Sequence, residues 1–336
     1  DLKDDDAVID LYVANTHTTL LVFTTKGIVH ALKVYKLPLG NPQSRGKAMI
    51  NLLPLAQDEK ISVIMPLPDG EGAENLNIVF ATSHGTVRRN RLEDFMSIRS
   101  NGLIAMKLGE DEKLIAVKPS ADSEDILLIS KLGKAIRFPV SDLRVFAGRT
   151  STGVRGIQLA DGDEVMSMSI ITGSTASIED RDVYLKIASA ERRLTDENKT
   201  PTYADCCKDA AASMDEKLYR QLQLQEQFIL TISDRGFGKR TSCYEYRQSN
   251  RGGQGVAAMA MTDKTGNMVA AYPITEAEQI MLVSDQGQLI RMPVTGIRIA
   301  GRATQGVTLF RVSDSEHVVS VATLREEDST TEEKTP

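Results

Sequence analysis

Five times along this 336-residue chain a short apolar run is closed by Ser/Thr-x-x-Gly. The runs are Leu20–Phe23, Ile78–Phe80, Ile126–Ile129, Phe228–Leu230 and Ile280–Val283. Their turns are Thr24–Gly27, Thr82–Gly85, Ser130–Gly133, Ser233–Gly236 and Ser284–Gly287. A β-rich run ending in a polar turn with glycine at a fixed place predicts a hairpin, because glycine alone reaches positive φ at little cost. Four residues past the turn glycine stand Arg89, Arg137, Arg240 and Arg291; the first repeat has Ala31 there and Lys33 nearby. A second glycine follows (Gly46, Gly102, Gly153, Gly255, Gly306), then an acidic turn and a closing strand near Ile61, Leu114, Val165, Met268 and Val318.

Repeats of about 50 residues with four short strands each predict a propeller-like ring, since a single blade cannot bury both its faces. One spacing between turn glycines, 133 to 236, is about twice the others. Residues 173–226 fill it with helix formers such as Asp182–Ala188 and Met214–Leu224 and contain no hairpin signal, so we expect two inserted helices joined by Asp196–Pro201. At the front, Asp4–Asp6 followed by Val8–Ala14 matches the end of a repeat, so residues 1–17 read as the close of a truncated first blade. Blades two to four take 18–172, blades five and six 227–324, and an acidic tail 325–336 that we expect to be disordered.

Charge is unevenly placed. The net charge is -6, yet residues 1–6, residues 173–226 and the tail from Ala322 each carry a net -3, leaving the blades at +3. Bases gather at one part of each repeat: Lys33, Lys36, Arg45 and Lys47; Arg88, Arg89, Arg91 and Arg99; Lys134, Arg137, Arg144 and Arg149; Lys239, Arg240, Arg247 and Arg251; Arg291, Arg298 and Arg302. Carried round a ring, that asymmetry predicts a basic rim suited to the phosphates of a duplex: many modest contacts, little base reading and strong salt dependence.

Other classes find little support. No window approaches the roughly 18 apolar residues of a membrane helix. The acidic start lacks an initiator Met and the basic, apolar character of a signal peptide, so the chain reads as a piece of a longer protein with a cytoplasmic setting. Cys206, Cys207 and Cys243 form neither a disulfide framework nor a metal-ligand spacing. No Gly-rich ATP loop and no nucleophile motif is present, and the four histidines stand singly, with His84 in a hairpin turn where it could meet phosphate. A protein-binding propeller would account for the repeats but not for the recurrent bases.

Six segments carry a more specific signal: Val13–His17, Lys33–Pro38, Ile50–Leu55, Phe80–Asn90, Arg149–Gly156 and Asn250–Gly255. Through them the chain resembles the C-terminal domains of DNA gyrase A subunits, a family of six-bladed β-pinwheels. The resemblance implies an all-β pinwheel with its first blade truncated and a helical insertion. It also implies a module that wraps double-stranded DNA about its rim and so supports ATP-dependent negative supercoiling. In that setting the partners are DNA and, in an A2B2 assembly, the gyrase B subunit together with the remainder of the A subunit. ATP and Mg2+ act elsewhere in the holoenzyme, and neither cofactors nor catalytic residues are expected in this piece. The related topoisomerase IV subunit is the alternative, though the segments at 13–17 and 50–55 look more gyrase-like. The family's Gln-Arg-Arg-Gly-Gly-x-Gly box lies in the first blade, just before this chain begins. At Asn250–Gly255, Ser249 and Asn250 replace its leading Gln-Arg, so the box's role is not transferred there. Without the box, we expect DNA to be bent but wrapped less tightly. The resemblance further implies that the acidic tail competes with DNA for the rim.

Overall fold

In three of the five hairpin turns the opening Ser/Thr has two roles. Its Oγ accepts the amide four residues on, as Thr24 does from Ile28, Ser130 from Lys134 and Ser284 from Gln288. The same hydroxyl donates to a buried carboxylate in the acidic turn: Thr24 to Glu59 at 2.5 Å, Ser130 to Asp163 at 2.6 Å and Ser284 to Glu316 at 2.5 Å. The acidic turn therefore ties the hairpin to the closing strand. Gly27, Gly85, Gly133, Gly236 and Gly287 all lie at φ between +71 and +80°.

The computed structural model describes residues 12, 14–40, 46–68, 70, 72–174, 176–196 and 200–325. The expectations for residues 1–11, for Arg45 and for the tail beyond Arg325 lie outside them. Among the described residues there are five antiparallel sheets, one per turn motif and in chain order. The hairpins are Thr19–Thr24 with Ile28–Lys33, Asn77–Thr82 with Thr86–Arg91, Glu124–Ser130 with Lys134–Pro139, Phe228–Ser233 with Phe237–Ser242, and Glu278–Ser284 with Leu289–Pro293. We call them blades two to six. The closing strands, Ile61–Pro66, Leu114–Ser120, Val165–Thr172, Met268–Ile274 and Val318–Arg325, pair with the first strand of each hairpin.

The fourth strand of each complete sheet comes from the following repeat. Leu103–Ile104 of blade three pairs with the hairpin of blade two, Val154–Arg155 with blade three, Val256–Ala257 with blade four and Val307–Thr308 with blade five. Each exchanged strand directly follows the second glycine of its repeat. Blade six has three described strands.

The core lies between blades. Leu21 and Phe23 of blade two pack on Ile78 and Phe80 of blade three. Val79 and Val87 meet Ile126, Leu128 and Ile136 at the next seam. Leu127 and Ile129 then meet Ile229 and Phe237, and Leu230 and Ile232 meet Ile280 and Leu282. The first strands of blades two to five are thus buried on both faces, which is why they are unbroken apolar runs rather than alternating ones.

Among the described residues between Thr172 and Phe228 there are three helices where two were expected: α1 (Ile178–Asp196), α2 (Tyr203–Ala210) and α3 (Glu216–Gln225). The extra one, α2, starts at a capping box in which Thr202 caps the Asp205 amide and Asp205 reaches back to Thr202. Tyr184, Ile187, Cys206, Tyr219 and Leu222 form the helical core, completed by Tyr244 of blade five.

Candidate functional site

The cation four residues past the turn glycine faces inward. Arg89, Arg137 and Arg240 are all buried. Arg89 Nη1 donates to the carbonyls of Val140 and Leu143 (3.1 and 3.0 Å). Arg137 Nη1 donates to Cys243 (2.9 Å) and Tyr246 (3.4 Å), and Arg240 Nε to Ile297 (2.7 Å). These carbonyls belong to one equivalent 3-10 turn of the following blade. A carboxylate balances each guanidinium: Asp122, Asp125 and Glu276 respectively.

A second buried cation sits one residue earlier. Arg88, with no exposed surface, gives Nη1 to the carbonyls of Arg149 (2.7 Å) and Ser151 (2.6 Å) and Nη2 to that of Ala105. Lys239 Nζ donates to Gly301 (2.8 Å), Arg302 (2.5 Å) and Thr304 (2.7 Å). Burial lowers the Arg88 guanidinium to about 10 and the Lys239 ammonium to about 7. The reading of Arg88, Arg89, Arg137, Lys239 and Arg240 as rim cations is therefore corrected: they are buried, and through backbone carbonyls of the adjoining blade they staple one blade to the next. Arg291, the same position on blade six, is exposed and donates to Gln279 at 2.6 Å. The blade-two residue matching Arg88 and Lys239 is His30, buried and, among the described residues, with neither ring nitrogen hydrogen-bonded.

The remaining candidates reach the surface to differing degrees. Lys36, Lys47, Arg91, Arg99, Lys134, Arg144, Arg247, Arg251 and Arg298 are exposed. Lys33, Arg149 and Arg302 are half-buried, and each has a donor on a carbonyl: of His17, Asp94 and Ala257 respectively. Arg91 pairs with Glu93 across the surface, and Arg251 donates to the Arg155 carbonyl at 3.2 Å.

Three of the exposed arginines share one structural position. Arg144, Arg247 and Arg298 each stand eleven residues past their turn glycine. Each follows the residue (Leu143, Tyr246 or Ile297) whose carbonyl receives the staple arginine of the preceding blade. Each also precedes the residue that bridges that staple's backbone: Val145 to Arg89, Gln248 to Arg137 and Ile299 to Arg240. The backbone on both sides is clamped while the charge stays in water. Among the described residues none of the three side chains has a hydrogen bond or ion pair, although the Arg144 guanidinium lies 4.2 Å over the Phe146 ring. Arg99 joins Arg149 in a small cleft at the next seam. Sequence reasoning missed Arg155, exposed beside His84 and Gly153 in a shallow groove; its place on an exchanged strand is visible only once the strand pairing is known.

Among the described residues no three His, Cys, Asp or Glu side chains come together to hold a metal, and no helix is long and apolar enough to cross a membrane.

Seam-packed, strand-exchanging sheets in sequence repeat define a β-propeller of the pinwheel type. The family model described as "DNA gyrase C-terminal domain, beta-propeller" matches residues 18–68, 76–121, 124–172, 227–275 and 278–325. It covers the five described sheets and omits the helices, and the chain belongs to this family of DNA gyrase C-terminal domains. The DNA gyrase A subunit of Rickettsia bellii is 45% identical over 333 residues, covering 99% of this chain and 36% of that relative. The gyrase A subunit of Haemophilus influenzae is 36% identical over 338 residues, covering 99% of the chain and 35% of the relative. The chain thus spans about a third of the length of these relatives. A solved C-terminal domain of DNA topoisomerase IV superposes with a TM-score of 0.69 at 21% identity, covering 97% of this chain and 84% of that one. A DNA gyrase A C-terminal domain superposes at 0.64 and 20% identity, covering 93% and 84%. At these identities the solved structures speak to the fold.

Proposed function

We propose that this chain is the DNA-wrapping module of a gyrase A subunit, bending duplex DNA round its blades so that the whole ATP-dependent enzyme introduces negative supercoils. The observation that carries this reading is the recurrence of Arg144, Arg247 and Arg298, rigidly placed, exposed and, among the described residues, without a side-chain hydrogen bond or ion pair on three successive blades. Arg99, Lys134 and Arg251 add charge on the same blades and on blade three. An arginine fork grips phosphate at two points, and repetition supplies the several contacts needed against a bending cost of about 1–6 kcal/mol for 40–90°. The names of the relatives favour gyrase over topoisomerase IV. In this reading the partners are the gyrase B subunit together with the rest of the A subunit in an A2B2 assembly in the cytoplasm, with ATP and Mg2+ bound outside this module.

The test is duplex binding over a salt series, combined with electrophoresis of fragments carrying the bound site at different positions. Affinity is expected to fall steeply with salt, and mobility to depend on position. Salt-insensitive binding, or binding to an unbent duplex, would overturn the reading.

A further inference from the structure

The three-helix insertion sits against the surface on which the exposed arginines stand. Tyr244, three residues before Arg247, belongs to the helical core, and its hydroxyl donates to the Leu222 carbonyl at 2.9 Å. From this anchor α1 runs beside the matching turn of blade six and leaves a cleft of about 840 Å³. One wall carries Arg192 and Arg193 of α1; the other is Thr295–Gly301, with Arg298 in its middle.

The two carboxylates lining this cleft are engaged elsewhere. Glu191 accepts from Tyr219 (2.6 Å), Gln223 (2.9 Å) and Arg220 (3.3 Å), and Glu245 from the Arg302 amide (2.7 Å). The arginines are held loosely by comparison. The Arg298 side chain has no partner among the described residues. Arg192 lies 4.0 Å from Glu226, and Arg193 pairs with Asp209 while more than half exposed. An exposed pair such as Arg193–Asp209 is worth little and exchanges readily for another anion, and Arg192 stands at the outer limit of ion-pair distance from the buried Glu226.

We propose that the insertion is a second wall of the duplex track: a phosphate strand of the DNA carried by blades five and six enters this cleft, between Arg298 and the α1 pair Arg192 and Arg193. The rim arginines alone would touch one side of a duplex. A wall standing off the rim would reach its flank and fix where the duplex leaves blade six. This inference rests on the DNA-binding reading above.

The test uses the whole chain and a duplex long enough to span the blades, with binding measured across a salt series. In Arg192→Gln/Arg193→Gln the slope of log affinity against log salt should fall by about 2, since each phosphate contact contributes about 0.9. Arg192→Lys/Arg193→Lys should restore it. Because both arginines also pair within the helices, Ser189→Glu provides an independent reading. Ser189 is exposed on the cleft wall and among the described residues has no side-chain hydrogen bond, so an added negative charge should weaken binding about fivefold without loosening the insertion. Unchanged binding in both Ser189→Glu and the Gln pair, with Arg144→Gln/Arg247→Gln still weakening it, would overturn the second wall and leave the rim intact. Tighter binding on Arg192→Gln/Arg193→Gln would also overturn it. Loss of effect in every variant, Arg144→Gln/Arg247→Gln included, would remove the rim reading itself.

Discussion

Lys239 in blade five holds the next blade's loop by the carbonyls of Arg302 and Thr304, as Arg88 in blade three holds its neighbour by those of Arg149 and Ser151. Two different cations thus perform one task at equivalent seams, while blade four has the apolar Ile136 at that place and blade two the unpartnered His30. The seams of this ring are not chemically alike, and each difference has a measurable consequence.

Replacing Arg88 by Met leaves the carbonyls of Arg149, Ser151 and Ala105 without their buried donor. The expected loss is ~3 kcal/mol or more of stability, at about 1–3 kcal/mol for each unsatisfied group. Urea unfolding checks this. The salt slope of DNA binding should stay unchanged wherever the variant is still folded, since Arg88 reaches no solvent.

The opposite pattern is expected at the surface. Arg144→Gln/Arg247→Gln/Arg298→Gln should lower the salt slope by about 3, one phosphate contact for each arginine. The melting temperature should stay nearly unchanged, because none of the three side chains supports the fold through a hydrogen bond. A matched pair of salt titration and thermal scan separates the two classes of cation.

Lys239 also makes stability depend on pH. Burial lowers its ammonium from 10.5 to about 7. Between those values the unfolded chain binds a proton that the folded chain lacks, so stability rises with pH from about 7 towards 10. Below 7 both states are protonated and the contribution is flat. From pH 7 to 9 the gain is at most ~2–3 kcal/mol. Lys239→Arg keeps the cation across this range and should remove the slope; thermal unfolding of both proteins at pH 6.5, 8 and 9 tests it.

Two turn glycines with nearly equal φ, +77° at Gly236 and +79° at Gly287, separate backbone strain from strand exchange. A Cβ at Gly236 would lie 1.9 Å from the Phe310 carbonyl oxygen of the exchanged loop, whereas at Gly287 nothing lies within 4 Å. Gly287→Ala should cost ~1–2 kcal/mol, the left-handed penalty alone. Gly236→Ala should cost at least twice that, and the difference between the two melting curves reads the exchanged strand.

The hairpins and closing strands were legible because both follow from local chemistry: an apolar run, a polar turn and a glycine at positive φ. The closing strands begin at Ile61, Leu114, Val165, Met268 and Val318, where the repeat places them. Strand exchange was not legible, since Leu103–Ile104 or Val307–Thr308 is only two residues long and its partner lies in another repeat. Missing it led to the misplacement of Arg88, Arg89, Arg137, Lys239 and Arg240. In sequence a recurrent base looks the same whether it faces a phosphate or a carbonyl, and only the adjoining blade decides which. The helix count in the insertion failed for a smaller reason: the capping box at Thr202 and Asp205 is a helix start that a purely compositional reading passes over.

Each complete blade takes one of its two edge strands from its successor, so no such sheet owns all of its own edges. Severing the chain between two repeats would damage the fold on both sides of the cut. A pull exerted by taut DNA on one sheet would likewise be shared with the next through main-chain hydrogen bonds, giving the ring the stiffness of overlapped shingles.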